Sequence, residues 1–314
     1  MNFSNLDAYR LDRIVPPSTL LTVGVSGGRS SAYQAAHIIE ANGGPPPGVV
    51  FNFENTGKER EETLAFVDRL DRHFQMGLVW LERDGRAPHK YRKVTYETAS
   101  RNGEPFDELY AEIVPKRRDG TAGVRPLPNP AQRTCTAELK TKTMHRYLRN
   151  ELRWPTHYYS ALGFRADEPG RVKRNRAASA KRALEGGWGV FPMFDAGVTE
   201  SDVRRFWSAA PALDLKLDSN YGNCDFCFMK STWKLKETML LDALEQQVKP
   251  RPGAAPPPTV QWWIDKEARE SDRPGPFRRD RPGYQTLWEQ VCAGDMESAV
   301  AENKADVCGS CGDA

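Results

Sequence analysis

Leu20-Leu21-Thr22-Val23-Gly24-Val25, followed directly by Ser26-Gly27-Gly28-Arg29-Ser30-Ser31, is the stretch that decides the fold class of this chain. The first six residues form a short apolar, β-branched run, the glycine pair breaks it, and Ser30 to Ala41 has helical composition, which reads as strand, tight turn, helix. The same order recurs downstream. A second strand is expected at Val49 to Phe53, then the polar Asn55-Thr56-Gly57-Lys58, then a helix from Glu59 to Phe74 with Leu64, Phe66, Val67 and Leu70 on its apolar face. A third strand fits Gly77 to Glu82. Alternating strands and helices predict an α/β fold with a parallel sheet and right-handed crossovers, and such sheets bind ligands at the carboxyl ends of their strands. Both Ser26-Gly27-Gly28 and Asn55-Thr56-Gly57 fall at that edge.

The chain between residues 84 and 134 is polar and punctuated by Gly and Pro, so it is expected to be a long, partly ordered insertion over the site. A helix from Thr136 to Leu152 and a strand from His157 to Leu162 follow, the strand ending in Gly163-Phe164-Arg165. Thr199 with Asp202 three positions later has the form of a capped helix start, leading a helix to Ser208, and Ser231 to Gln247 reads as an amphipathic helix. Residues 1–247 are thus assigned to one α/β domain. Residues 248–314 are assigned to a linker at Pro250 to Pro258 and a mainly helical tail, in which Trp262 and Trp263 are packing anchors and a last helix spans Tyr284 to Ala301.

Length and composition bound the possibilities. A chain of 314 residues buries a sizeable core without disulfide staples, and with 39% hydrophobic and 28% charged residues it contains no apolar run long enough to cross a bilayer. The N-terminal MNFSNLDAYRLDR has no secretory apolar stretch, so a soluble, cytoplasmic protein without membrane partners is expected. In a reducing compartment the six cysteines suit metal binding or redox chemistry better than disulfides. A net charge of +3 is too small to imply a polyanion partner, although residues 165–182 hold seven Lys or Arg against two acids, a local excess suited to phosphates or to solvent.

A glycine turn between strand and helix exposes backbone N–H groups at the positive end of the helix dipole, which favours a phosphate; Ser26, Ser30 and Ser31 add hydroxyls. Gly-Gly turns are also common as plain structure, and this one lacks both the Gly-Lys-Ser/Thr ending of a P-loop and the spacing of a dinucleotide fingerprint. The five histidines, His37, His73, His89, His145 and His157, show no metal-ligand spacing and are read as structural.

Four stretches in order carry a more specific resemblance. Ser26 to Ser31 resembles the Ser-Gly-Gly-x-Asp-Ser PP-loop of N-type ATP pyrophosphatases and the related phosphoadenylylsulfate (PAPS) reductase family, with Ser30 where that family has Asp and Arg29 as an added cation. Phe51 to Gly57 with Glu59 resembles the family's second strand and its adenosine-side end, Gly163 to Glu168 its Gly-x-Arg segment, and Phe191 to Phe194 with the helix to Trp207 the region after it. The resemblance covers roughly residues 20–230. It implies an adenine nucleotide α-hydrolase-like fold, with Ser26, Gly27, Gly28, Arg29, Ser30, Ser31 and Gly163 at the phosphates, Asn55, Thr56 and Gly57 toward the adenosine, and Arg165 as a phosphate-facing catalytic arginine. Ser30 in place of Asp supports phosphate binding more firmly than ATP hydrolysis.

The cysteines extend it. Cys135-Thr136-Ala137-Glu138-Leu139-Lys140 followed by Cys224-Asp225-Phe226-Cys227 is similar to the Cys-Cys-x-x-x-Lys and Cys-x-x-Cys pair that holds a [4Fe–4S] cluster in adenylylsulfate reductases, Thr136 standing for the second cysteine. Cys311 or Cys308 is the candidate fourth ligand, and zinc is the alternative metal for such thiolates. Cys308-Gly309 is also the nearest match to the family's catalytic tail cysteine, while Cys292 reads as a buried apolar residue. Two reactions fit these residues. Either a tail thiolate reduces a sulfonucleotide (APS or PAPS) with a thiol reductant, or ATP adenylylates tRNA or DNA for thiolation by a sulfur donor. A zinc-stabilised nucleic-acid-binding module is a third possibility, weakened by the wide separation of the Cys-x-x-Cys pairs.

Overall fold

The computed structural model describes residues 1, 3–115, 122–181, 187–218, 221–222, 224–269 and 275–296, so Cys308 and Cys311 lie outside the described residues. After a 3-10 turn (Leu6–Tyr9) and the one-turn α1 (Leu11–Ile14), β1 (Leu21–Gly24), α2 (Arg29–Ala41), β2 (Val49–Glu54), α3 (Glu61–Phe74) and β3 (Val79–Glu82) follow in strict alternation. Within the insertion come β4 (Arg92–Val94), α4 (Glu104–Ala111) and the hairpin β5 (Ile113–Pro115) and β6 (Ala122–Val124). Then come α5 (Lys142–Asn150), β7 (Tyr159–Ala161), α6 (Pro169–Lys181), β8 (Trp188–Val190), α7 (Pro192–Asp195), α8 (Glu200–Ser208), α9 (Thr232–Glu245), α10 (Pro258–Ala268) and α11 (Tyr284–Cys292).

The main sheet runs β4-β3-β2-β1-β7-β8, all parallel except β4, which pairs antiparallel with β3. The α/β class and parallel sheet expected from the alternation are therefore present. β1 lies at the centre, with Leu21 opposite Val49 of β2 on one side and Tyr159 of β7 on the other. The chain winds outward from β1 to β3, then returns past β1 to build β7 and β8. The strand order reverses between β1 and β7, the position at which sheets of this kind form a crevice outside the carboxyl ends of their strands.

Three apolar cores hold this arrangement. The largest joins Leu21, Val23 and Phe53 of the sheet to Tyr33, Ile38, Phe66 and Val67 of α2 and α3 and to Phe206 and Trp207 of α8. Thr199 and Asp202 form the expected reciprocal cap of α8, and Ser231 caps α9 through the Lys234 N–H. The second core spans the segments on either side of residue 248: Phe106 and Tyr110 of α4, Phe226, Leu235 and Met239, then Trp263, Tyr284 and Trp288. A smaller one packs Met144 and Leu148 of α5 on Leu81 and Tyr158.

The structure differs from the sequence expectation at several points. Among its described residues the insertion contributes short regular elements between loops: β4 satisfies the open edge of β3 and α4 buries Phe106 and Leu109 in the second core. The helix expected from Thr136 begins as a π-helical turn (Thr136–Thr141), which carries Lys140, before turning α-helical. The last helix stops at Cys292, where Gly294 takes a left-handed φ of 75°; residues 297–301 of the expected helix lie outside the described residues. Trp263 is 2% exposed in the second core and Cys292 is buried there too, as packing residues. His37 stacks on Tyr33 at 3.8 Å, and burial pulls its pKa down to about 4, which keeps the ring neutral. No helix among the described residues is long and apolar enough to cross a membrane.

Candidate functional site

The loop Val25 to Gly28 leaves β1 and enters α2 at the strand-order reversal. Gly27 has φ +89°, and a Cβ there would come within 2.4 Å of the Thr63 methyl on α3, so both backbone conformation and packing require glycine. Ser31 Oγ ties the loop, accepting from the Ser26 N–H at 3.0 Å and donating to the Gly28 carbonyl at 3.0 Å. The Ser26 hydroxyl lies 3.0 Å from the same oxygen, and its side chain is exposed at the mouth. The first N–H groups of α2 have no partners within the helix, so this turn directs donors and the dipole's positive end toward the crevice.

The segment after β7 closes the other wall. A Cβ on Gly163 would meet Ser31 Cα at 3.0 Å, so Gly163 lets the two strand ends touch. Arg165 is 6% exposed; its Nη1 donates to Ser30 Oγ at 3.3 Å and its Nε to Asp167 at 3.0 Å, and Glu168 and Glu200 lie at 3.9 and 3.8 Å, so its charge too is engaged by carboxylates. Ser26, Gly27, Gly28, Ser30, Ser31, Gly163 and Arg165 are thus one contiguous cluster, exposed at Ser26 and otherwise largely buried. Arg29 takes a different course from the added cation envisaged for it. Its guanidinium grips both Asp214 oxygens, at 2.6 and 3.0 Å, and the Leu215 and Leu217 carbonyls, so its charge is already engaged. The indole N–H of Trp207 donates to the Arg29 carbonyl at 3.0 Å, which anchors the start of α2 on α8.

The turn after β2 is largely occupied with itself. Asn55 is fully buried, its amide donating to Glu82 and to the Ser100 carbonyl while its oxygen accepts from the Gly57 N–H. Gly57 packs against Gly103 at the start of α4. Thr56 donates to Glu59 through both its N–H and its hydroxyl, each at 2.8 Å, and the hydroxyl lies 3.4 Å from Cys224 Sγ. Asn55 and Gly57 therefore shape the crevice wall from within, whereas Thr56 joins it to the cysteines.

Cys224 reaches that position through an antiparallel bridge to Glu59, and the adjoining Asp225 is held by Lys58 at 3.0 Å and by the Trp263 indole at 2.9 Å. Burial pushes the Cys224 thiol up to about 12, Glu59 adding to the effect and Lys140 opposing it. Cys135 also acts on Cys224 electrostatically, and Lys230, drawn down to about 8 by burial, is influenced by Cys227 and Cys224. Lys140 Nζ sits 3.4 Å from Glu59; burial works against its charge, but Glu59, Cys224 and Glu54 outweigh that and hold its pKa above the usual range. Cys135, Cys224 and Cys227 are thiols in one neighbourhood, yet among the described residues no three His, Cys, Asp or Glu side chains meet as a ready metal-ligand group.

Sequence reasoning missed Glu54. It closes β2 at the carboxyl edge, accepts from Asn52 Nδ2 at 2.6 Å, and is pushed by burial up to about 7 against the pull of Asn52 and Lys140. The signal was available: a single acid ending the apolar run Val49 to Phe53. Lys58 and Asp225 were missed because their pairing joins residues 167 positions apart.

No known family model matches the chain. It is similar to the uncharacterized nin region protein ORF290 of Escherichia phage lambda, 27% identical over 217 residues that span 68% of this chain and 67% of that protein.

Proposed function

We propose that this chain is a PP-loop enzyme that binds an adenine nucleotide in the crevice between β1 and β7 and carries out sulfur chemistry at the neighbouring thiols. The observation that carries the nucleotide half is the contact of two strand-end segments at the reversal point. The Ser26–Ser31 loop supplies helix-terminal N–H groups and hydroxyls, and Arg165 supplies a buried guanidinium bonded to Ser30. N–H groups, hydroxyls and a guanidinium converging on one spot suit a phosphate or pyrophosphate better than any neutral ligand. The 3.4 Å contact between Thr56 and Cys224 supports the sulfur half, since it joins crevice and thiols without an intervening element.

In this mechanism the loop and Arg165 hold the phosphates and stabilise charge that develops on them as the bond to the leaving group breaks. Glu54, which exchanges its proton near neutral pH, is the acceptor for a proton released in the crevice. Lys140 keeps a positive charge between Glu59 and Cys224. The thiols of Cys135, Cys224 and Cys227 are the soft donors that would hold a [4Fe–4S] cluster or zinc, and a bound iron–sulfur cluster would supply electron transfer or a sulfur-binding iron there. Their donor chemistry fits such a group, but among the described residues they do not stand as a formed ligand shell.

Between the two reactions, the Ser26-Gly27-Gly28 pattern, which resembles the loop of ATP pyrophosphatases, favours ATP-dependent activation of an acceptor. Sulfonucleotide reduction rests instead on Cys308, outside the described residues. The deciding experiment incubates anaerobically purified protein with ATP, and separately with APS or PAPS plus thiol, and measures pyrophosphate and sulfite. Pyrophosphate release that requires Arg165 is expected; sulfite release lost in Cys308→Ser would establish the reductase, and no binding of any adenine nucleotide would sink the proposal. Iron, sulfide and zinc analysis of the same preparation decides the metal.

A further inference from the structure

Residues 224–230 carry Cys224 and Cys227 on two consecutive turns. The Cys227 N–H donates to the Cys224 carbonyl at 3.3 Å, and the Lys230 N–H to the Cys227 carbonyl at 2.9 Å. The first turn holds the two cysteines at its ends, the spacing by which a Cys-x-x-Cys pair offers both thiolates to one metal ion. The buried Lys230 ammonium crosses the loop to the Asp225 carbonyl at 2.6 Å, and the Asp225 N–H donates to the Lys58 carbonyl at 2.7 Å. Three further carbonyls of the loop are met from more than fifty positions along the chain. The Tyr284 hydroxyl donates to the Phe226 carbonyl at 2.5 Å. Arg281 donates through Nη2 to the Phe228 carbonyl at 2.9 Å and through Nη1 to the Lys230 carbonyl, so one guanidinium fixes the second turn.

The segment that delivers Arg281 is itself held. Glu267, near the end of α10, accepts the Phe277 N–H at 3.0 Å and the Tyr284 N–H at 2.7 Å, which ties off residues 277–284 as a loop. Phe277 stacks on Phe228 at 5.5 Å and Tyr284 on Trp263 at 5.4 Å, all four rings being buried in the second core. Arg281 therefore reaches the cysteine loop from a rigid mount. A neutral donor would satisfy two carbonyls equally well; a guanidinium also brings a positive charge, which favours thiolates over thiols nearby. Lys230 and Arg281 both interact electrostatically with Cys227, so two cations from separate segments flank that sulfur.

We infer that Arg281 is a positioning residue for the thiol site: with Tyr284 it holds the Cys-x-x-Cys turn in the shape that presents Cys224 and Cys227 to one metal ion, which makes the segment after residue 248 a working part of that site. This rests on the reading of the thiols as metal donors. It does not depend on the nucleotide proposal.

Titration of the reduced, metal-free full chain with cobalt(II) tests it, because thiolate-to-cobalt charge-transfer absorption appears only when thiolates bind the metal. The chains compared are wild type, Arg281→Gln, Arg281→Lys and Tyr284→Phe, with Cys227→Ser to test the thiol reading. Arg29→Ala is the control, since it loses an ion pair to Asp214 and none of the bonds to the cysteine loop. Wild type is expected to bind cobalt with thiolate absorption, Arg281→Gln about 10- to 100-fold more weakly, Tyr284→Phe about threefold or more weakly, and Arg29→Ala as wild type does. Arg281→Lys keeps the charge but not the fork to two carbonyls, so it should recover only part of the loss. Wild-type cobalt affinity in folded Arg281→Gln would overturn the inference and leave the thiol reading standing. Wild type without thiolate absorption, or with the same absorption as Cys227→Ser, would overturn the thiol reading and the inference with it. If Arg281→Gln fails to fold, wild-type affinity in both Tyr284→Phe and Arg281→Lys overturns the inference by the same measure.

Discussion

Glu54 offers the sharpest test of how the sheet edge is built. Its carboxyl takes up a proton with a pKa of about 7 in the folded chain, against 4.5 ordinarily, because burial strips water from the charge that ionising it would create. Between those two values the folded state holds more protons than the unfolded one, so stability falls as pH rises, and the full penalty is present above pH 7. A tenfold change in a protonation equilibrium is worth about 1.4 kcal/mol, which bounds the penalty at about 3 kcal/mol; the residual solvent contact of the side chain reduces this to about 1–3 kcal/mol. Glu54→Gln removes the ionisation while preserving the acceptor for Asn52 Nδ2, 2.6 Å away. Urea unfolding at pH 5 and pH 8 should therefore show the variant close to wild type at the lower pH and more stable by about 1–3 kcal/mol at the higher. A variant less stable than wild type at pH 8, or a difference independent of pH, would refute the argument. If Glu54 also takes the acceptor's proton, Glu54→Gln should abolish the rise of pyrophosphate release through neutral pH.

Gly27→Ala, which forces a Cβ toward Thr63 at a left-handed φ, should cost about 1–3 kcal/mol in urea unfolding and weaken nucleotide binding; an unperturbed loop would contradict the geometry. Arg29→Ala should lower stability through loss of the Asp214 pair while leaving the proposed nucleotide affinity within about twofold, since its guanidinium is held by Asp214 and the Leu215 and Leu217 carbonyls. Arg165→Ala should weaken ATP binding by about 10-fold or more in equilibrium dialysis, with Arg165→Lys restoring charge but not the fork to Ser30. If the thiols hold the proposed metal, Cys224→Ser should reduce iron or zinc in anaerobic preparations without unfolding the chain, because the neighbouring Asp225 anchor to Lys58 is untouched.

Local chemistry made much of this protein legible from its sequence. The run Leu20 to Val25 with its glycine turn, and the alternation after it, specified α/β class and parallel strands, since side-chain period and backbone freedom act over a few residues. The helix caps at Thr199 and Ser231 were local for the same reason. Only tertiary structure decided where Arg29 and Arg165 point: one is drawn to Asp214, 185 positions away, the other to Ser30, 135 positions away. It also decided that the insertion supplies an antiparallel edge strand and a helix of the second core. The electrostatic character of Glu54 and Cys224 has the same origin, because burial is a property of what packs around a side chain and is absent from its own neighbours in the chain.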